Sequence, residues 1–259
     1  MLKRVAVLVY GVMVYFMFFA IFLYLIGFVG NLLVPKSIDG AIEVPLWQAM
    51  LTNILLIGLF AVQHSVMARP WFKKWWTQFV PKPIERSTYV LFTVIALVTL
   101  FVFWQPMGGT IWTIKDGFTS GVLMALFALG WTLVLVSTFL INHFDLFGLR
   151  QVWLYFRGQP YTILHFRVQT LYKYIRHPLY LGFLIAVWAT PVMTTAKLFL
   201  AVSWSIYILS AIRWEEKDML SLFGDKYRQY KKSVPMILPS IFGKKPSKPT
   251  FETLAKGNE

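Results

Sequence analysis

The chain has 259 residues, of which 58% are hydrophobic, 18% aromatic and only 14% charged. This composition excludes a single water-soluble globular domain, because too little polar surface exists to cover so large an apolar fraction. The net charge of +14 comes from Lys and Arg in short segments between apolar runs, not from a basic stripe on a soluble module, which argues against nucleic-acid binding. The sequence contains no cysteine, which excludes disulfides and a thiolate metal site.

Long apolar runs predict a bundle of transmembrane helices, since about 17 to 25 apolar residues cross a bilayer as a helix with every backbone group paired. Four runs are clear, at roughly 5–33, 46–68, 88–105 and 119–141. Two shorter runs, 179–194 and 197–213, predict a helical hairpin. The expected fold is therefore all-α: a polytopic transmembrane helical bundle with five or six spans and a C-terminal helical hairpin.

We expect one integral membrane domain over 1–259. Its predicted parts are a four-span bundle, a cytoplasmic loop, the hairpin with its polar continuation, and a flexible basic tail, at 1–141, 142–178, 179–239 and 240–259. Lys and Arg concentrate in 69–87, in 142–177 and beyond Arg213, whereas 34–46 and 106–118 contain one Lys each. Because positively charged loops stay inside, this pattern predicts that both termini are cytoplasmic.

Polar clusters interrupt or end four of the apolar runs, and all are predicted to lie at the cytoplasmic face. They are Gln63-His64-Ser65, Asn142-His143-Phe144-Asp145, Arg176-His177 and Arg213-Trp214-Glu215-Glu216. Ionisable groups near a membrane are costly, and they usually mark a functional site. Alternatively, a single histidine of this kind is an interfacial residue, and the two glutamates form ion pairs at a solvated helix end.

The residues around Pro178 predict a receptor for a zwitterion. Proline fits the first position of a helix, and the free N–H groups beyond it, with Arg176 and His177, favour a carboxylate. Glu215 and Glu216 are expected at the end of the returning helix, where they favour a cation. Together these groups would match the two charges of an amino-acid moiety.

The segment from Tyr172 to Gly182, followed by Glu215-Glu216, Phe223-Gly224 and Tyr227, resembles the C-terminal signature of the isoprenylcysteine carboxyl methyltransferase superfamily of integral membrane methyltransferases. The similarity covers about 70 residues and corresponds to the part that binds S-adenosylmethionine in that superfamily. It implies that S-adenosylmethionine is the cofactor and that 179–239 includes the cofactor-binding segment. The implied binding residues are Arg176, His177, Pro178, Tyr180, Gly182, Glu215, Glu216 and Tyr227.

Three further motifs, within 63–69, 85–91 and 143–151, are similar to the bacterial methanethiol S-methyltransferases and to related denitrification-associated membrane proteins. The former resemblance is favoured. It implies methyl transfer from S-adenosylmethionine to methanethiol, giving dimethyl sulfide, in a bacterial inner membrane. The expected partners are a small thiol and membrane lipids, and the oligomeric state is left open.

Such a reaction needs a base, because the thiolate and not the thiol is the nucleophile. His64 and His143 titrate near neutral pH, and Asp145 would orient an imidazole or accept the proton itself. These three residues are the predicted catalytic groups, and no metal site is predicted.

Three alternatives remain open at this stage. In the first, the methyl acceptor is a prenylcysteine carboxylate, a phospholipid or another lipophilic thiol. In the second, the chain is related to the membrane sterol reductases, which use a nicotinamide cofactor. The third is a non-enzymatic haem or metal protein whose ligands are His64, His143, His165 and His177.

Overall fold

A computed structural model describes residues 1–162, 168 and 170–238 of the chain. The tail predicted at 240–259 lies outside the described residues, and so does His165. The elements are α1 (Leu2–Gly30), α2 (Leu46–Ala68), α3 (Pro70–Trp76), α4 (Lys82–Phe103), β1 (Thr110–Thr113), α5 (Gly117–Ile141), α6 (His143–Leu146), α7 (Leu149–Phe156), a 3-10 turn (Thr170–Lys173), α8 (Pro178–Trp188), β2 (Val192–Thr194), α9 (Thr195–Phe223) and α10 (Asp225–Ser233).

Within the described residues, five helices are long and apolar enough to cross a membrane, namely α1, α2, α4, α5 and α9. The predicted all-α polytopic bundle is therefore confirmed, and the chain is an integral membrane protein. Large side chains such as Phe28, Leu100 and Ile208 fill the centre of the bundle, while many apolar side chains on its outside are exposed, as expected for a surface that faces lipid.

The C-terminal hairpin differs from its prediction. The apolar run 179–194 is not helical throughout, because α8 ends at Trp188 after 11 residues, about 16 Å at 1.5 Å per residue. Such a helix is too short for a hydrocarbon core of about 30 Å. Pro191 explains the break, since proline lacks an N–H and disfavours helix at the residue before it. The chain continues in extended form into β2.

Strand pairing brings the tip of this hairpin to one end of the bundle. Strand β2 pairs antiparallel with β1, which lies in the connection between α4 and α5. Thr194 donates a hydrogen bond of 2.6 Å to Asp39 in the connection between α1 and α2. We call this end, with β1, β2 and 31–45, the sheet end. The opposite end, which carries α3, α6, α7 and α10, is the basic end.

Helix α8 lies directly against α5 because glycines face each other at their contact. A Cβ atom on Gly130 of α5 would lie 2.7 Å from the backbone nitrogen of Ala186 and 2.8 Å from the carbonyl oxygen of Gly182. A Cβ atom on Gly182 would in turn lie 2.7 Å from the carbonyl oxygen of Gly130. Small residues permit this close backbone approach, which fixes the position of α8 along α5.

We expect Gly130→Ala to destabilise the protein by about 1–3 kcal/mol, because the added methyl group meets backbone atoms that cannot move independently. Thermal unfolding in detergent measures the effect. Gly121→Ala on the same helix is the control, since a Cβ atom there meets nothing within 4 Å and alanine favours a helix. Equal melting temperatures for the two variants would contradict the close contact between α5 and α8.

Candidate donor and acceptor site at the basic end

Glu216 is the centre of a cluster of polar and charged side chains at the basic end, all of them buried except that of Lys231. Its Oε1 accepts a hydrogen bond of 2.8 Å from Nε of Arg176 and lies 3.2 Å from Nε2 of His177. Its Oε2 lies 2.6 Å from Nζ of Lys231. The side chains of Arg176 and Glu216 are only 8% and 6% exposed. We call these four residues the Glu216 cluster.

The same cluster joins three segments of the chain. The backbone N–H groups of Arg176 and His177 donate to the carbonyl oxygens of Pro235 and Met236. The guanidinium of Arg176 also donates to the carbonyl oxygens of Lys231 and Val234. The residues that precede α8 are thus fixed both to α9 and to the segment that follows α10.

Glu215 and Glu216 do not end the returning helix, so that expectation is wrong. Helix α9 continues to Phe223 and ends at Gly224, whose φ of 54° and ψ of −128° favour glycine. The expectation underestimated the helix because the apolar run stops near Ala211, whereas the polar turns beyond it are stabilised by partners on α8 and α10. The carboxylates therefore project from within α9, two turns before its end.

Glu215 is placed differently from its neighbour. Its Oε2 accepts a hydrogen bond of 2.9 Å from the hydroxyl of Tyr180, in the first turn of α8. Within the described residues no other hydrogen bond or ion pair reaches this carboxylate. The side chain is half-buried. Glu216 is saturated by protein partners, whereas Glu215 keeps an oxygen available for a ligand.

His64 lies on α2 among aromatic and hydroxyl side chains of α4 and of α2 itself. The hydroxyl of Tyr89 on α4 lies 3.0 and 3.1 Å from its two ring nitrogens, and the hydroxyl of Thr93 lies 3.3 Å from Nδ1. Phe60 stacks on the imidazole with ring centroids 5.3 Å apart. The ring is therefore held in place while its nitrogens face hydroxyl groups, which exchange protons readily.

Contacts between α2 and α9 relate His64 to Glu215. Ser65 lies 3.1 Å from the hydroxyl of Tyr207, and Arg69 forms an ion pair of 2.7 Å with Asp218. Glu215 lies between Tyr207 and Asp218 on α9, about 12 Å along the helix axis from the former. The helix that carries His64 therefore packs against the helix that carries Glu215, while the Glu215 side chain itself is directed to Tyr180 of α8.

His143 lies in a different environment, between α1 and α5. Its Nε2 is 2.9 Å from the hydroxyl of Tyr15 and its Nδ1 is 2.8 Å from the hydroxyl of Thr138. Phe139 stacks on the ring at 4.1 Å. Burial lowers the pKa of His143 below its ordinary value, because the charged form loses solvation. Both nitrogens are used by the fold.

Asp145 occupies a third position. It forms an ion pair of 3.0 Å with Arg150 and accepts a hydrogen bond of 3.3 Å from Tyr161. It lines a cavity of about 740 Å³ between α3, the start of α4 and α7. The three residues predicted to be catalytic are therefore not brought together, and their catalytic roles stay predictions.

Three of the residues implied in cofactor binding have clear structural surroundings. Pro178 begins α8, as the sequence predicts. Gly182 lies against Gly130, so the contact between helices by itself explains a glycine there. Tyr227 is buried beside Tyr230, with ring centroids 5.7 Å apart. Their roles toward a cofactor stay predictions.

Sequence reasoning missed several residues that the structure places at this site. Tyr89, Tyr207 and Lys231 contact His64, Ser65 and Glu216 respectively. Tyr89 lies inside one of the motifs noted above, which was a usable signal. Lys231 had none, because it is one of several lysines in a polar segment and its partner is distant in sequence.

Within the described residues, no group of three or more His, Asp or Glu side chains is arranged to hold a metal ion. Fold and site together define a polytopic membrane protein with a carboxylate-bearing site where α8 and α9 meet.

Comparison with known proteins identifies its family. The chain is 52% identical to a methanethiol S-methyltransferase from Crocosphaera subtropica over 244 residues, covering 94% of this chain and 95% of that protein. It is 51% identical to a methanethiol S-methyltransferase from Mycobacterium tuberculosis, covering 92% and 98% of the two chains. The chain therefore belongs to the methanethiol S-methyltransferase family.

A more distant similarity is to nurim from Xenopus laevis, at 31% identity over 204 residues, covering 71% of this chain and 70% of that protein. No protein-family model matches the chain. No solved structure matches it either.

Replacing Glu216 by Gln should lower the free energy of unfolding by about 3–5 kcal/mol, since the buried Arg176 loses its counter-charge. Chemical denaturation in detergent measures this loss. The control is Asp225→Asn, which removes an exposed pair with Arg228 that contributes at most about 1 kcal/mol. A Glu216→Gln variant as stable as this control would show that the Glu216 cluster does not hold the C-terminal segments together.

Proposed function

We propose that this protein transfers a methyl group from S-adenosylmethionine to methanethiol and produces dimethyl sulfide. The observation that supports this most strongly is the identity of about half of all aligned residues to relatives named methanethiol S-methyltransferase, over nearly the full length of each chain. Because this identity extends over nearly the whole chain and is not confined to one segment, it favours the same acceptor as well as the same reaction.

The residues at the meeting point of α8 and α9 suit the amino-acid part of the donor. The free oxygen of Glu215, next to the hydroxyl of Tyr180, is an acceptor for an ammonium group. The N-terminus of α8, with His177 preceding it, favours a carboxylate. Arg176 fixes the residues before α8 in position through the Glu216 cluster. When bound, S-adenosylmethionine supplies a methyl group on a positively charged sulfur.

His64 is the best placed of the three predicted catalytic residues to accept the thiol proton. Its helix, α2, packs against α9, which carries Glu215, whereas His143 lies between Tyr15 of α1 and Thr138 of α5. The S–H bond of methanethiol breaks, its proton passes to the imidazole, and the thiolate sulfur forms a bond to the methyl carbon. The electron pair of the breaking carbon–sulfur bond returns to the donor sulfur.

This reaction neutralises two opposite charges, so an apolar setting favours it over the separated ions. Phe60 and Trp204 lie with ring centroids 5.6 Å apart, and Trp204 also faces Phe183 of α8. These rings provide apolar walls beside His64. Aromatic faces also attract a positively charged sulfur by cation–π interaction.

The proposed location is a bacterial inner membrane with both termini in the cytoplasm. The basic end carries Lys73, Lys74, Arg150 and the segments rich in Lys and Arg around α10, whereas the sheet end has few basic residues. By the rule of positive loops inside, the basic end is cytoplasmic. The donor would then enter from the cytoplasm, and a small volatile thiol would arrive from either water or lipid.

Cells that make this protein and are fed methanethiol should release dimethyl sulfide into the headspace. Gas chromatography measures the product. Matched cells that do not make the protein control for background chemistry. Purified protein incubated with labelled S-adenosylmethionine and a panel of acceptors extends the test, and transfer to prenylcysteine but not to small thiols would overturn the choice of acceptor.

His64→Ala should lower the turnover rate, whereas Glu215→Gln should lower the affinity for the donor. The first removes the proposed base and should lower kcat by about 100-fold or more, while affinity for S-adenosylhomocysteine stays near that of the unmodified protein. The second removes the charge that meets the ammonium group and should weaken that affinity by about tenfold or more. Calorimetry and initial rates measure the two effects.

The control for charge is Glu43→Gln, an exposed carboxylate at the sheet end, which should change neither quantity. If Glu215→Gln binds S-adenosylhomocysteine as tightly as this control does, the assignment of Glu215 to the ammonium group is wrong. If His64→Ala retains full kcat, another residue accepts the proton.

A further inference from the structure

The cavity of about 740 Å³ at the basic end has a lining unlike that of the proposed donor site. Four cationic side chains line it, against two carboxylates. They are Lys73, Lys74, Lys82 and Arg86, with Glu85 and Asp145. Asp145 is already paired with Arg150 at 3.0 Å. The lining therefore carries an excess of positive charge that the protein itself does not neutralise.

This charge makes the cavity unsuitable for the methyl donor. S-adenosylmethionine has a sulfonium and an ammonium group but only one carboxylate, so it is a net cation near neutral pH. Like charges disfavour its binding among lysines. The carboxylate of Glu215 belongs to a different contact, between α8 and α9. The cavity is thus a separate site, for a ligand of opposite charge.

Helix α3 indicates where that ligand comes from. It is a seven-residue helix of sequence PWFKKWW, so its aromatic rings and two lysines lie within about two helical turns. Trp71 and Trp75 are 64% and 49% exposed, and Phe79 just beyond is 67% exposed. Exposed tryptophans at the end of a transmembrane helix sit at the level of lipid headgroups. The cavity therefore opens at the height where phospholipid phosphates lie.

The surroundings of Lys73 also favour the binding of an anion. Burial lowers the pKa of Lys73, and the neighbouring guanidinium of Arg86 lowers it further. Arg86 is itself fixed, since its Nε donates to the carbonyl oxygen of Leu146 at 2.7 Å and its guanidinium lies 4.9 Å from the ring centroid of Tyr89. A bound phosphate would relieve the repulsion between these fixed cations.

We propose that this cavity binds the phosphate of an anionic phospholipid headgroup, with Lys73, Lys74, Lys82 and Arg86 as its receptor and the rings of α3 beside its acyl chains. Basic pockets at the cytoplasmic ends of transmembrane helices bind anionic headgroups in this way. The site lies next to Tyr89, which contacts His64, so an occupied cavity would steady the acceptor side of the bundle.

Native mass spectrometry of the full-length protein, released from nanodiscs of mixed phosphatidylglycerol and phosphatidylcholine, tests the proposal. The unmodified protein should retain phosphatidylglycerol in preference to phosphatidylcholine. The triple variant Lys73→Gln, Lys74→Gln, Lys82→Gln should lose about 100-fold of this preference, since each lysine near an anionic lipid contributes roughly fivefold. None of these lysines has a role in the proposed methyl transfer.

The control neutralises three lysines outside the cavity, Lys3, Lys115 and Lys232, all of them exposed. This variant should keep the preference. Equal losses in the two triple variants would overturn the proposal, because the effect would then reflect overall charge. Circular dichroism checks that both triple variants fold. If the cavity variant does not fold, the single variant Lys73→Gln replaces it and should lose about fivefold of the preference for phosphatidylglycerol.

A second arm separates the lipid from a soluble phosphate. Glycerol phosphate and inorganic phosphate at millimolar concentration should raise the melting temperature less than phosphatidylglycerol does. Equal stabilisation by the soluble anions would overturn the assignment to a lipid. Because both arms measure binding and stability, their outcome is independent of whether methanethiol is the acceptor.

Discussion

The ion pair between Glu216 and Arg176 is the interaction on which the arrangement of the site depends. A buried carboxylate is costly unless it is paired and hydrogen-bonded, and here Arg176 and Lys231 supply positive charge while Nε2 of His177 lies 3.2 Å away. Because these partners come from the segment before α8 and from α10, the pair holds three distant parts of the chain together. Glu215, the preceding residue, is thereby held in position while one of its carboxylate oxygens stays available for a ligand.

Much of the fold could be predicted from the sequence, for a physical reason. Apolar runs of bilayer length leave the backbone no alternative to a helix, so the four N-terminal spans lie close to their predicted bounds. The β1–β2 pair could not be predicted in this way. Its strands have four and three residues, and their pairing depends on where α8 stops and not on any local pattern.

The candidate site was predictable only in part. Pro178 as the start of α8 followed from its missing N–H, and it is confirmed. That Glu216 is paired while Glu215 keeps an oxygen free did not follow, because the partners that make this difference are 15 or more residues away in the sequence. His143 shows the same limit. A histidine at a span end has the same sequence pattern whether its nitrogens face a ligand or, as here, Tyr15 and Thr138.

Electrostatics divides the basic end into two regions of opposite character. Around Glu215 a carboxylate oxygen is free for a cation, whereas around Lys73 three lysines and Arg86 outnumber the carboxylates. Arg86 and Tyr89 stand between them, in contact with each other and with His64 through the tyrosine hydroxyl. A cationic donor is attracted to the first region and repelled by the second, and an anionic headgroup behaves in the opposite way. The proposed donor and the proposed lipid would therefore occupy separate regions of one membrane face, with the contact between Tyr89 and His64 beside both.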